Sequence, residues 1–281
     1  MVREKIYTFG PSQALVGILT EPESSAARPG APVIVASNVG LNHRVGPFRT
    51  YVELSRRLAR AGYSMLRFDL SGLGDSQQRK DAKTELERGV LDVKDAMTAL
   101  AERNGTKRFI QLGFCSGVDS AHTVTVDDPR VAGAIFVEGY SFQTKEFLLR
   151  RYLKRPLSRR FWELYARRTI QKHAPQLMSE LREAGDGVEI YTRNYPTKER
   201  LESEFQKVTG RGTNLLFVYS GGYGSDAANN YIEQFGDTFP SLRDNAHIEV
   251  EYYERADHTY TVLFDREKLM QRIERWMLRY F

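Results

Sequence analysis

The segment Phe109-Ile110-Gln111-Leu112-Gly113-Phe114-Cys115-Ser116-Gly117-Val118 decides how this chain is read. It runs from a short apolar strand, Phe109–Gly113, into a helix expected over Gly117–Val126. The turn between them has the form Gly-x-Cys-x-Gly. A nucleophile on so tight a strand-to-helix turn needs glycine two residues to either side, because side chains there would clash. The turn sets the sulfur at the helix N-terminus, whose dipole and N–H groups favour a thiolate. The backbone N–H of Ser116 then points where a tetrahedral oxyanion would form. Two plainer readings compete. Cys115 is then only a small buried residue, or Ser116 is the nucleophile, although no glycine stands two residues before it. Cys115 is the only cysteine of 281 residues, which excludes an internal disulfide and a cysteine-based zinc site.

Working outward, short apolar runs alternate with amphipathic segments. Lys5–Phe9 and Ala14–Thr20 read as paired strands joined by Gly10-Pro11-Ser12. Val33–Ser37 is a β-branched run of the kind buried on both faces. Tyr51, Leu54, Leu58 and Ala61 recur at helical spacing up to Gly62, and Leu86, Val90, Val93, Met97 and Leu100 up to Asn104-Gly105. Ser64–Phe68, Val131–Val137, Leu215–Tyr219 and His247–Tyr253 are further strands, and Leu269, Ile273, Trp276 and Met277 mark a last helix. Such alternation predicts an α/β fold, a mostly parallel doubly wound sheet covered on both faces.

One stretch interrupts the alternation. Residues 140–212 carry helical character and no convincing core strand, so they are expected to form a helical cap inserted after the sixth strand, with 1–139 and 213–281 as the core. Between Tyr140 and Lys172 ten Lys and Arg face only Glu146 and Glu163. The formal charge of +5 over the whole chain therefore conceals a strongly basic insertion on a slightly acidic core. Phe147, Leu148, Tyr152, Leu153, Phe161, Trp162 and Tyr165 supply the insertion with an apolar face. A sequence with 22 Gly, 10 Pro and 41% hydrophobic residues is not disordered, and its length suits one core with one insertion.

A nucleophile on this turn takes its base from late in the chain. His258, in Arg255-Ala256-Asp257-His258-Thr259, follows the last strand and is the expected general base; His43, His122, His173 and His247 stand elsewhere. A carboxylate should orient the imidazole. Asp226, in the loop Ser220-Gly221-Gly222-Tyr223-Gly224-Ser225-Asp226 after the Leu215–Tyr219 strand, is the first choice, and Glu138 at the end of Val131–Val137 is the alternative. Asp257 adjoins His258 in sequence, which aims its side chain elsewhere, and reads as a structural loop residue.

Four ordered motifs carry a resemblance: Asn42–Arg49 (NHRVGPFR), Leu66–Ser76 (LRFDLSGLGDS), Gly113–Gly117 (GFCSG) and Ala256–Thr259 (ADHT). Together they resemble the α/β-hydrolase superfamily, and the cysteine-nucleophile branch similar to exosortase system-associated hydrolases. The resemblance spans nearly all of the chain except the cap. It implies an α/β-hydrolase fold and a second oxyanion donor just after the VIVAS strand, which falls at about Gly40. The chain departs from those relatives in placing Tyr223, not an acid, directly after Ser220-Gly221-Gly222.

A thiol at the elbow bears on substrate. Attack by a thiolate on a thioester yields another thioester, so acyl transfer is nearly isoenergetic, and a lid that excludes water would favour it. Hydrolysis or transfer of an acyl group held as thioester or ester is therefore expected, with a non-catalytic binding protein as the rival class. A basic cap would steer an acidic carrier, an acyl carrier protein or coenzyme A, although a solvated helix face explains the charge equally well. No nucleic-acid motif accompanies the charge. No metal or cofactor is implied: Gly72-Leu73-Gly74-Asp75 lacks the lysine and spacing of a phosphate cradle. No signal peptide or run of about 18 apolar residues is present, so a cytoplasmic location is expected.

Overall fold

The apolar runs pair side by side because each is bounded by Gly, Pro or polar turns and is too short to form a helix of its own. In the computed structural model, which describes residues 2–40, 42–82, 84–153, 196–222 and 229–281, they build one eight-stranded sheet. The strands are β1 (Arg3–Phe9), β2 (Leu15–Glu21), β3 (Val33–Ala36), β4 (Met65–Phe68), β5 (Phe109–Phe114), β6 (Val131–Val137), β7 (Asn214–Ser220) and β8 (Ile248–Tyr253). Their order is β1-β2-β4-β3-β5-β6-β7-β8. β1 pairs antiparallel with β2, and β2 with β4; every other pairing is parallel.

Alternate residues of the central strands feed opposite layers, as the two-residue period requires. Ile34 and Ala36, Ile110 and Leu112, and Leu216 and Val218 join a core beneath α1 (Thr50–Arg60) and the C-terminal helix, Leu263–Tyr280. Val33, Val35, Leu66 and Phe68 pack on the other face with Val93, Met97 and Leu100 of α2 (Glu85–Asn104). Thr84 caps α2 by accepting the Glu87 N–H at 3.1 Å, and Gly105 closes it at φ +67°. α3 (Gly117–Asp127) lies between β5 and β6 on that same face.

The region expected to form the cap divides. α4 (Lys145–Leu153) is described, and most of the basic stretch that prompted the cap lies in 154–195, outside the described residues. The end of the region is a helix, α5 (Lys198–Gly210), that packs on the sheet. Its Leu201, Phe205 and Val208 recur at helical spacing and are fully buried against Phe136 and Phe217. A short helix, α6 (Gln234–Thr238), then precedes β8, in a part where the sequence suggested no element; the C-terminal helix is α7.

His122 of α3 is buried among Phe136, Tyr140 and Phe205, with Nε2 3.4 Å from Glu204. Burial outweighs that carboxylate and holds the imidazole down to about 4. Because the folded value lies below the unfolded one, the stabilisation from neutral His122 is complete above about pH 6.5 and is lost as pH falls towards 4. The loss amounts to roughly 3 kcal/mol. Urea midpoints measured from pH 7 to 4 should therefore fall more steeply for the wild type than for His122→Phe. Equal slopes would refute the assignment.

Candidate active site

β5 ends at Phe114, and Cys115 follows with φ +51°, the left-handed conformation in which non-glycine residues are rare. Hydrogen bonds on both sides hold that conformation. The Cys115 N–H donates to Val137 O at 2.8 Å, and its carbonyl accepts the Val118 N–H at 3.1 Å. The flanking glycines are required for the reason the sequence suggested. A Cβ at Gly113 would stand 2.6 Å from Val118 Cα, and one at Gly117 would stand 2.8 Å from Asn38 O. Ser116 sits one residue later at the N-cap of α3 with ordinary helical angles, φ −63° and ψ −24°. The strained apex of the turn is thus Cys115, not Ser116.

His258 lies in the loop between β8 and α7. Its Nδ1 stands 3.4 Å from Glu138 Oε2, and the ring also hydrogen-bonds the Cys115 side chain. With Nδ1 taken by the carboxylate, Nε2 is the nitrogen left for the sulfur. These two partners, Cys115 first and Glu138 second, outweigh burial and push the imidazole up to about 10. Asp257 shapes the loop that delivers His258. Its carboxylate accepts the Thr259 and Thr261 N–H groups at 3.0 and 2.9 Å and both hydroxyls at 2.8 and 3.0 Å. Asp257 thus has the structural role its sequence position indicated.

Glu138 follows β6 at φ +52°, so two successive parallel strands end in strained residues, Cys115 and Glu138, at the same edge of the sheet. Its carboxylate is almost wholly buried and receives hydrogen bonds from Ser220 and, at 3.4 Å, from the Tyr260 hydroxyl. Burial pushes Glu138 up, and His258 and Ser220 oppose the shift. Asp226, the first choice from sequence, lies outside the described residues.

The loop after β3 supplies the other side of the site. Asp69, fully buried, ties it down by accepting from Asn38 Nδ2 at 3.2 Å, from the Arg44 N–H at 2.7 Å and from the Arg44 guanidinium. Arg44 also reaches Asp75 at 2.7 Å. The NHRVGPFR and LRFDLSGLGDS motifs are therefore one structural unit. Gly74, at φ +52°, is required because a Cβ there would lie 2.4 Å from Asp69 Oδ2. His43, Asp69 and Asp75 offer ligand atoms within 4.8 Å of one another, but the Arg44 guanidinium supplies the positive charge at Asp69 and Asp75. Asp69→Ala would leave Arg44 and Asn38 without their buried acceptor. It should lower the unfolding free energy by about 3–5 kcal/mol, read from urea denaturation.

Gly40, with φ +52°, stands at the tip of this loop, and its N–H donates to Ser116 Oγ at 2.9 Å. The structure thus brings Gly40 and Ser116 together, and the Gly40 N–H points at the Ser116 side chain. A cavity of about 380 Å³ opens beside them, lined by Leu70, Leu73 and Leu86 and also by the charged Glu85, Arg88 and Asp119. Sequence reading placed none of those leucines at a site. Leu86 was placed in the α2 stripe, yet it is half exposed at the cavity mouth.

A hydrolase family model described as serine aminopeptidase, S33, matches residues 37–197, more than half of the chain. The chain belongs to that family. The serine-aminopeptidase family is one of α/β-hydrolases, and the sheet order and elbow described above have that fold. The chain departs from the family's name in presenting cysteine at the elbow. Solved structures share the fold at low identity. An esterase of Pyrococcus furiosus superposes with a TM-score of 0.62 at 14% identity, over 99% of this chain and 91% of that one. A dienelactone hydrolase of Anabaena variabilis gives 0.59 at 14%, over 100% and 99%. A proline iminopeptidase of Mycobacterium smegmatis gives 0.55 at 15%, over 98% of each chain. Comparison with curated proteins finds no match. Among the described residues no helix is long and apolar enough to cross a membrane.

Proposed function

We propose that this hydrolase-family protein acts through a cysteine nucleophile, with Cys115, His258 and Glu138 as its triad. The observation that carries the reading is His258 held between the Cys115 side chain and the buried Glu138 carboxylate. An imidazole pushed up to about 10 by those neighbours favours a thiolate–imidazolium pair as the resting state. The Cys115 thiolate attacks the carbonyl carbon of an acyl thioester or ester, and the carbonyl π electrons move to oxygen. The Ser116 N–H at the start of α3 faces the resulting oxyanion. Collapse expels the leaving thiolate or alkoxide, which takes its proton from His258. Neutral His258 then accepts a proton from water, or from an acceptor thiol or amine, as that group attacks the acyl-cysteine and releases Cys115.

Thioesters are the preferred substrate class because exchange between sulfur esters is nearly isoenergetic, so the acyl-cysteine forms without loss of driving force. The cavity beside Gly40 and Ser116, lined by Leu70, Leu73 and Leu86 together with Glu85, Arg88 and Asp119, is the proposed place for the part of the substrate that extends past the elbow. An acidic carrier, coenzyme A or an acyl carrier protein, is the proposed donor, on the basic character of residues 140–172.

Intact-mass measurement of the wild type and of His258→Ala after mixing with acyl-coenzyme A, loaded acyl carrier protein and p-nitrophenyl acetate tests the reading. An acyl adduct that maps to Cys115 is the expected result. Failure of every donor to label either protein would refute the covalent mechanism and favour a binding protein on the same fold.

A further inference from the structure

We infer that the Ser116 hydroxyl is itself a catalytic group: it accepts the Gly40 N–H and donates its own proton to the oxyanion. The inference rests on the Cys115 acyl-enzyme reading and adds to it a donor the backbone does not supply. Two observations carry it. First, the hydroxyl has no helix-capping role, since the Ser116 side chain makes no cap hydrogen bond although it occupies the N-cap of α3. Serine is favoured at such positions because its oxygen ordinarily accepts an N–H from the first turn. Here the oxygen turns away and takes the Gly40 N–H at 2.9 Å instead. Second, Gly40 and Ser116 both line the cavity at the start of α3, and Ser116 directly follows Cys115 in the chain, so their hydrogen bond sits one residue from the nucleophile.

The chemistry of a hydroxyl completes the argument. Serine carries one proton and two acceptor lone pairs. With a lone pair engaged by Gly40, the O–H proton remains available for a third atom. Donation by Gly40 polarises that O–H and makes it a better donor, as in any chain of hydrogen bonds inside a protein. The Gly40 N–H thus acts on the oxyanion through Ser116 Oγ, and the expected pair of backbone donors becomes the Ser116 N–H plus a relayed hydroxyl. No bond is made or broken in this step, and the proton stays on Oγ throughout.

The rival geometry is a plug, in which Ser116 Oγ merely blocks a Gly40 N–H that would otherwise reach the oxyanion itself. The two differ in sign. Single-turnover acylation of Cys115 by p-nitrophenyl acetate, with parallel alkylation by iodoacetamide, is measured on wild type, Ser116→Ala and Ser116→Thr. Iodoacetamide reacts with the thiolate through no oxyanion. The relay predicts that Ser116→Ala slows acylation on the order of 10²-fold with the apparent KM little changed. It also predicts that alkylation is unchanged and that Ser116→Thr, which keeps the hydroxyl, recovers most of the acylation rate. Acylation that is unchanged or faster in Ser116→Ala would overturn the relay, the faster outcome establishing the plug. Equal slowing of acylation and alkylation would overturn it too, since the hydroxyl would then only shape the elbow. Absence of any Cys115 acylation in the wild type is a separate outcome: it removes the acyl-enzyme reading and the relay with it.

Discussion

Replacing Glu138 by glutamine should lower kcat/KM by about two to four orders of magnitude, whereas Asp226→Asn should leave it nearly unchanged. Glutamine keeps the shape of the buried side chain and removes the charge that holds His258 as imidazolium. The folded value of His258 is raised, to about 10, so the charged imidazole persists as pH rises towards 10 and is lost above it. Without Glu138 the imidazole loses one of its two supports and releases its proton at lower pH. Less thiolate then survives near neutrality, and iodoacetamide alkylation of Cys115 at pH 6 should slow about tenfold or more in Glu138→Gln. Kinetics and alkylation on the two variants separate the candidates. A large defect confined to Asp226→Asn would transfer the role of acid to Asp226.

Cys115→Ser should lose about 10³-fold or more in turnover while retaining the wild-type unfolding midpoint. The family to which the chain belongs is named for serine, which makes this substitution the sharpest test of the thiol. Serine fits the turn, because the strain at φ +51° and the clearances around Gly113 and Gly117 are set by the backbone. What it lacks is a resting anion. A hydroxyl stays protonated at neutral pH, so the ion pair with His258 vanishes and the base must remove a proton during attack. Activity within a few-fold of wild type in Cys115→Ser would mean that the site works as an ordinary serine hydrolase. Activity that survives in Cys115→Ala would point instead to Ser116.

The elbow was legible from local pattern. Glycines two residues either side of Cys115, on a turn between an apolar run and a helix, specify one backbone conformation, and the elbow adopts it. The placing of His258 beside Cys115 was legible from chain order, since the loop after the last strand reaches such an elbow. Asp257 was legible as structural because it adjoins His258 in sequence, and its carboxylate is occupied by Thr259 and Thr261. The break in periodicity after the sixth strand was visible, and α5 lies at its end. α5 is polar on its outer face and carries Leu201, Phe205, Val208 and Thr209 inward, a pattern equally suited to a cap or to the core.

The sequence by itself determined the alternation of strands and helices, the identity of the elbow and the position of His258, because each depends on residues close together in the chain. Only the tertiary structure shows that Glu138 meets the imidazole and what the Gly40 N–H touches. Strands β6 and β7 end side by side at the same edge, so loops after either one can present an acid to His258. The pairing with Glu138 follows from its left-handed turn after β6 and from burial against Ser220 and Tyr260. The contact between Gly40 and Ser116 joins residues 76 positions apart through the packing of the β3 loop, tied down by Asp69, against α3. Hydrogen bonds of that kind are set by the meeting of two loops, and no periodicity within either loop records them.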